Sequence, residues 1–172
     1  MGIASAHVDH VDDLTSGSGR RTPPRARLRT DAPELSLDGE WDFRWAACGE
    51  PDGSWETLPV PAHWVLHGDG RYGRPWYTNV RFPFPIDPPH VPDENPVGEY
   101  RRTFTHPGWD VATLLLRVDG VESVYRVMLN GAEVGVGKGS RLVQEFDVTE
   151  LLVPGRNEIV VRVHQWSSMS YV

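Results

Sequence analysis

Apolar and polar residues alternate with a period of two along much of the chain beyond residue 36. Trp41, Phe43 and Trp45 are separated by Asp42 and Arg44. This spacing predicts a first strand with one buried and one wet face, and it assigns Trp41 and Trp45 to the core. Six further runs with strand composition are predicted at residues 98–105, 113–118, 123–129, 133–136, 144–148 and 157–163.

Turn residues separate these runs. Asn130-Gly131 predicts a two-residue hairpin, because both central positions of a type I′ turn need positive φ. Pro154-Gly155 predicts another turn, and residues 147–152 have room for one short helical turn. The sequence shows no amphipathic helix of three turns. Strands and turns at this spacing are typical of an all-β sandwich.

Prolines dominate the stretch from Pro83 to Pro96, where six occur in fourteen positions. Each fixes φ and removes a backbone donor, so this stretch is predicted to be a stiff loop rather than a helix or a central strand. Taken alone, the pattern favours a surface wrap over a functional site. Asp93, Glu94 and Asn95 either brace this loop or line a cavity, and bracing is favoured because its backbone groups need partners.

The first 34 residues mix Ser, Gly, Thr, Pro and scattered charge without apolar periodicity. Residues 1–34 are therefore predicted to be a flexible arm, and residues 35–172 a single domain. Five side chains of the arm have metal-ligand chemistry, but a solvated tail is favoured because such an arm lacks groups that orient ligands. They are His7, Asp9, His10, Asp12 and Asp13.

Composition narrows the function classes. The chain has 172 residues, 39% apolar content and seven Trp, which is enough for one substantial core. No run reaches the roughly 18 apolar residues of a membrane span, and the amino terminus lacks the apolar core of a secretory signal. Cys48 is the only cysteine, which favours a reducing, cytoplasmic setting.

Charge argues against two kinds of partner. The net charge is −7, all of it after residue 34, and the chain has one lysine. Such a surface disfavours nucleic acid and anionic lipid and suits a neutral ligand such as a sugar.

Aromatic side chains are the candidates for sugar stacking, with core packing as the alternative for each. These candidates are Trp64, Trp76, Tyr77 and Trp166. His63, His67, His90 and His164 are scattered, so no zinc site is predicted. Four charged residues are assigned to surface or ion-pair roles, namely Asp38, Asp42, Lys138 and Arg141.

Eight short motifs occur in an order that resembles the amino-terminal sugar-binding domain of the LacZ-type β-galactosidases of glycoside hydrolase family two. The resemblance runs from about Arg21 to the last residue, and the motifs lie at residues 37–43, 60–64, 77–79, 88–100, 119–123 with 130–131, 137–141, 145–149 and 165–167. The resemblance implies a jelly-roll-like β-sandwich of the galactose-binding-domain type. It also suggests that a proline-containing lead-in begins near Arg21.

In that family, the two catalytic glutamates of the retaining reaction lie in a later (β/α)₈ barrel. The resemblance therefore implies that this chain contains no catalytic residue and is truncated before later domains. The fragment is expected to have no catalytic activity by itself. The resemblance further implies that the intact enzyme acts on terminal β-D-galactose, uses magnesium and sodium held outside these residues, and forms a homo-oligomer. The remaining domains of the same enzyme are the implied partners.

The resemblance also implies a role for Glu122. It follows Asp119-Gly120-Val121, where the family places a residue that bonds a sugar hydroxyl. A solvent-facing turn residue is the alternative. For the whole chain, the alternatives are a stand-alone carbohydrate-binding module and the same domain of a β-glucuronidase or β-mannosidase.

Overall fold

The computed structural model describes residues 9–23 and 30–171. Nine strands, one short helix and three 3₁₀ turns follow one another in the described part. The strands are β1 (Gly17–Gly19), β2 (Gly39–Ala46), β3 (Glu56–Val60), β4 (Val97–His106), β5 (Leu115–Val118), β6 (Val124–Leu129), β7 (Ala132–Lys138), β8 (Gln144–Asp147) and β9 (Gly155–His164). Helix α1 is Asp9–Asp12, and the 3₁₀ turns are Trp64–Leu66, Gly68–Gly70 and Ser168–Tyr171.

The strands form two antiparallel sheets of unequal size. Among the described residues, the larger sheet has seven strands in the order β1-β7-β6-β9-β4-β2-β3, and the smaller sheet pairs β5 with β8. The predicted all-β sandwich is confirmed.

The core lies between the two sheets and is rich in rings. Phe43 on β2 has no exposed surface, and its ring centroid lies 4.8 Å from that of Tyr100, 5.2 Å from Tyr72 and 6.2 Å from Trp64. Trp41 is buried and Trp45 is half-buried against this cluster, as predicted. Strand alternation therefore directs the predicted apolar face of β2 inward.

Seven of the nine strands in the described ranges coincide with predicted runs, with ends that differ by three residues or fewer. The prediction missed β1 and β3. Strand β3 lies at the sheet edge and contains Pro59, and an edge is a position where proline is tolerated. Residues 76–96 have no helix or strand, as their proline content predicts.

The Asn130-Gly131 hairpin is confirmed between β6 and β7. Both residues have positive φ, 51° and 79°, as a type I′ turn requires. The Asn130 side chain also donates to the Leu151 carbonyl oxygen at 2.8 Å and to Asn157 Oδ1 at 2.7 Å. The turn residue therefore ties the hairpin to the loop before β9.

The predicted single turn after Asp147 is present, with Leu152 N donating to the Val148 carbonyl oxygen at 3.0 Å.

Residues 9–23 correct the expectation of a flexible arm, whereas residues 1–8 and 24–29 lie outside the described ranges. Strand β1 pairs with β7 in the larger sheet. The chain then crosses to the smaller sheet, where Arg20 O accepts a bond from Asp147 N at 3.0 Å and Thr22 N donates to Glu145 O at 2.9 Å. This segment therefore joins the two sheets along one edge.

Helix α1 covers the outer face of the larger sheet. Val11 is 6% exposed and packs with Val124 and Val136. The side chain of Lys138 is fully buried beneath this segment, where it donates to the Asp13 main-chain oxygen and lies 3.4 Å from its carboxylate. Lys138 is thus an ion-pair residue, as predicted, but a buried one.

Two of the five candidate metal ligands in the first 34 residues have other partners in the structure. Asp12 lies 3.2 Å from His90 Nδ1, while Asp13 faces Lys138 instead. No group of three or more His, Cys, Asp or Glu within residues 9–23 and 30–171 is placed to hold a metal ion. His7 lies outside the described residues.

His164 at the end of β9 gives a pH prediction. Burial, with His10, Arg162 and Arg126 nearby, lowers the pKa of His164 to about 4. The unfolded chain, with a His pKa near 6.5, therefore binds the proton first, and stability falls as the pH drops from about 6.5 to about 4. The loss from this group is about 3 kcal/mol by the conversion of pKa into free energy.

The slope of unfolding free energy against pH, measured by urea titration, tests this expectation. His164→Asn removes the proton linkage and flattens the slope in that window, whereas His63→Asn, at an exposed site, leaves it unchanged. Equal slopes in the wild type and His164→Asn would show that His164 is not held neutral.

Candidate functional site

A groove of about 690 Å³ lies where the smaller sheet leaves the inner face of the larger sheet uncovered. One wall is β5 with the residues that follow it, and the floor is formed by β4 and β9. Most of the lining is apolar, including Trp41, Val60, Val65, Tyr100, Leu116, Val118, Ile159, Val161 and Val163. A concave apolar surface with a few polar groups is typical of a binding region.

A group of polar residues lies together at one end of the groove. Ser123 N and Ser123 Oγ both donate to the His164 carbonyl oxygen at 3.2 Å. This pair of bonds places the residue before Ser123 and the residue after His164 side by side, and these are Glu122 and Gln165. Both line the groove, together with Trp166. A carboxylate, an amide and an indole therefore share one rim.

Glu122 is exposed at this rim. Its carboxylate makes no hydrogen bond or ion pair with any other residue in the described part of the chain. An ionised carboxylate accepts hydrogen bonds through two oxygens. Glu122 is therefore free to accept bonds from hydroxyl groups.

The candidate stacking residues differ in their surroundings. Trp64 is 6% exposed and belongs to the core cluster, although one edge borders the groove. Trp76, 40% exposed, and the half-buried Trp166 also line the groove. Tyr77 is 71% exposed and lies outside the lining. Trp76 and Trp166 are thus the stacking candidates outside the core that line the groove, and the Arg74 guanidinium lies over the Trp76 ring at 4.3 Å.

The proline-rich loop is fastened to this rim by Asn95. Its Nδ2 donates to the Trp166 carbonyl oxygen at 2.7 Å, and its Oδ1 accepts from Trp166 N at 2.9 Å. Asn95 is 7% exposed. The predicted bracing role is confirmed for Asn95, whereas Asp93 and Glu94 are exposed.

Aromatic rings add a second fastening. The Phe84 ring lies edge-on to Trp166 at 5.2 Å and to Tyr171 at 6.1 Å. The Tyr171 hydroxyl donates to the His90 carbonyl oxygen at 2.5 Å. The loop and the segment that carries Trp166 therefore support one another.

This domain has relatives among known proteins. The family model described as "Glycosyl hydrolases family 2, sugar binding domain" matches residues 35–172. The chain belongs to this family. No helix within residues 9–23 and 30–171 of this family member is long and apolar enough to cross a membrane.

Curated β-galactosidases are among the relatives of this domain. One from Arthrobacter sp. (strain B7) is 54% identical over 190 residues, which cover 95% of this chain and 19% of the relative. One from Kluyveromyces lactis is 39% identical over 165 residues, covering 88% of this chain and 16% of the relative. The chain thus spans about a fifth or less of the length of these relatives.

Solved structures agree on the fold. A β-D-mannosidase from Dictyoglomus thermophilum superposes with a TM-score of 0.55 at 26% identity, over 76% of this chain and 15% of that chain. A Bifidobacterium dentium β-glucuronidase, complexed with coumarin-3-O-glucuronide, gives 0.54 at 29% identity, over 74% of this chain and 19% of that chain.

Sequence reasoning named Glu122 and Trp166 but overlooked Gln165 as a rim residue. Gln165 lies in the final motif, directly before Trp166, and its backbone N donates to the Pro96 carbonyl oxygen at 2.9 Å. The Ser123–His164 pairing brings this motif to the Asp119–Ser123 turn. Neither motif by itself shows that Gln165 and Glu122 lie side by side.

Proposed function

We propose that this domain forms one wall of the galactoside pocket of a family 2 β-galactosidase, and that Glu122 accepts a hydrogen bond from a sugar hydroxyl. The main support is the free Glu122 carboxylate beside Gln165 and Trp166 at the polar end of the groove. The 54% identity to a β-galactosidase supports galactose as the sugar.

Each rim residue has chemistry that suits a pyranose. The carboxylate accepts from hydroxyls, the Gln165 amide donates and accepts, and an indole face contacts ring C–H groups. Glu122 also bears on the choice between family activities. Its negative charge would repel the carboxylate of a glucuronide, which favours a neutral galactoside over the β-glucuronidase alternative.

We further propose that bond cleavage takes place outside these residues. The retaining reaction needs two carboxyl groups about 5 to 5.5 Å apart on a rigid scaffold, and the family resemblance assigns these two groups to a later barrel domain. Magnesium and sodium, if the intact enzyme uses them, would be held by other parts of it. We also propose that the intact enzyme is a homo-oligomer, which the family resemblance supports. A cytoplasmic location is proposed from the single cysteine.

A chimera tests the role of Glu122. This chain replaces the segment of the Arthrobacter β-galactosidase to which it aligns, and hydrolysis of a chromogenic galactoside is followed. Glu122→Ala is expected to raise KM about 10-fold, because a hydrogen bond to a charged group contributes about 1.5 kcal/mol. If the lost bond forms in the transition state as well, kcat/KM falls by a similar factor.

Glu133→Ala supplies the matched control, since Glu133 is an exposed carboxylate on β7 that does not line the groove. It should leave both constants unchanged. Equal KM values for Glu122→Ala and the unsubstituted chimera would contradict the proposed role.

A further inference from the structure

Strand β5 has one paired edge and one open edge. Its partner is β8, through the register that sets Leu116 opposite Phe146. Strand β8 is in turn bounded on its other side by residues 20–22. The smaller sheet therefore ends at β5, on the side where the apolar groove begins.

Hydrogen bonding around β8 shows which backbone groups of β5 face that open edge. Val148 N donates to Leu114 O at 2.9 Å, while Asp147 N turns the other way, to Arg20 O at 3.0 Å. Antiparallel pairing alternates in this manner, so Leu116 and Val118 bond toward β8, while Leu115 and Arg117 present N–H and C=O outward. Neither outward pair has a backbone partner within the described ranges.

The groove beside this edge resembles the inside of a sandwich more than a sugar site. Away from Glu122 most of its lining is apolar, with Val60, Val118 and Val161 among the walls. Besides Gln165, the other polar lining residues are Asp38, His63, Arg117 and Asp119, and Arg117 Nε donates to Asp119 Oδ1 at 2.6 Å. The Trp41 indole N–H is already used, donating to the Leu37 carbonyl oxygen at 2.8 Å. The apolar stretch between these polar groups offers few partners for sugar hydroxyls, whereas apolar side chains of a strand would bury there favourably.

The geometry points to a further β-strand seated on the open edge of β5 and filling the apolar groove. This strand would lie about 4.8 Å from β5, and its backbone would form hydrogen bonds with Leu115 and Arg117. Its alternate side chains would lie over Trp41 and Val161. We infer that a part of the longer enzyme outside this chain supplies the strand, because the β-galactosidase relatives are five to six times as long. The inference does not depend on the role of Glu122.

Hydrogen exchange tests the assignment directly. In the 172-residue chain, the Leu115 and Arg117 amides should exchange within about 10-fold of an unstructured peptide, since they face solvent. In the Arthrobacter chimera described above, both amides should exchange at least about 100-fold more slowly, while the amides of Leu116 and Val118 remain protected in both proteins.

A proline substitution supplies an independent measurement. Leu115→Pro removes the outward N–H and leaves the pairing with β8, whereas Leu115→Ala loses the side chain but keeps the donor. The chimera with Leu115→Pro should melt below the chimera with Leu115→Ala. In the isolated chain the same two variants should melt at similar temperatures.

Two results would overturn the inference. Equal exchange of Leu115 and Arg117 in the chain and the chimera would show that no strand docks there. Protection that appears in the isolated chain and grows with its concentration would mean that a second copy occupies the edge. Galactoside hydrolysis by the chimera with an unchanged KM for Glu122→Ala would refute the sugar role while leaving this test intact.

Discussion

Phe43→Ala is expected to cost about 3–5 kcal/mol of unfolding free energy. The ring is fully buried and contacts Trp64, Tyr72 and Tyr100, so its removal leaves a cavity between three rigid neighbours. Such a loss is a large part of the stability of an ordinary domain. The midpoint of urea unfolding at neutral pH, followed by tryptophan fluorescence, measures it.

Tyr77→Ala is the matched control, since it removes an aromatic ring that is 71% exposed. Its effect should stay within about 0.5 kcal/mol. If both variants unfold at the same urea concentration, the ring cluster around Phe43 does not form the core.

Glu99→Gln is expected to cost about 2–3 kcal/mol. Glu99 is 4% exposed and accepts bonds from Arg44 Nε at 2.8 Å and Arg162 Nε at 3.0 Å on the outer face of the larger sheet. Breaking a fully buried ion pair costs about 3–5 kcal/mol, and the value here is lower because both arginines remain about a quarter exposed. Glu50 also stays beside Arg162.

Asp42→Asn provides the comparison for Glu99→Gln. It breaks an ion pair with Arg101 on the same face, where the two side chains are 49% and 34% exposed. Exposed pairs contribute less than about 1 kcal/mol, so this variant should unfold close to the wild type. A cost for Asp42→Asn equal to that for Glu99→Gln would show that the Glu99 network is solvated.

Much of the sandwich could be predicted because its strands bury alternate apolar side chains. Strand β1 could not, since Gly-Ser-Gly has no apolar side chain and its pairing depends on close backbone approach. A Cβ at Gly19 would lie 2.5 Å from the Gly135 Cα. The surface or ion-pair role predicted for Lys138 did not include burial, which follows from the return of Asp13 over β7.

The candidate site was predictable only in pieces. The turn at Glu122 and the segment at Trp166 are separate motifs more than 40 positions apart, and the hydrogen bonds from Ser123 to His164 make them neighbours. The open edge of β5 has no signature in periodicity, because Leu115 and Arg117 differ from Leu116 and Val118 only in which strand they face. Both the rim at Glu122 and the open edge of β5 are defined by which backbone segments pair with one another, and the residue composition does not show this.

A crystal structure of the chimera with bound galactose would show whether Glu122 contacts the sugar. We expect a galactose hydroxyl oxygen within about 2.5–3.2 Å of a Glu122 carboxylate oxygen. Galactose bound in the same crystals with the Glu122 carboxylate turned to solvent, beyond the reach of any hydroxyl, would contradict it.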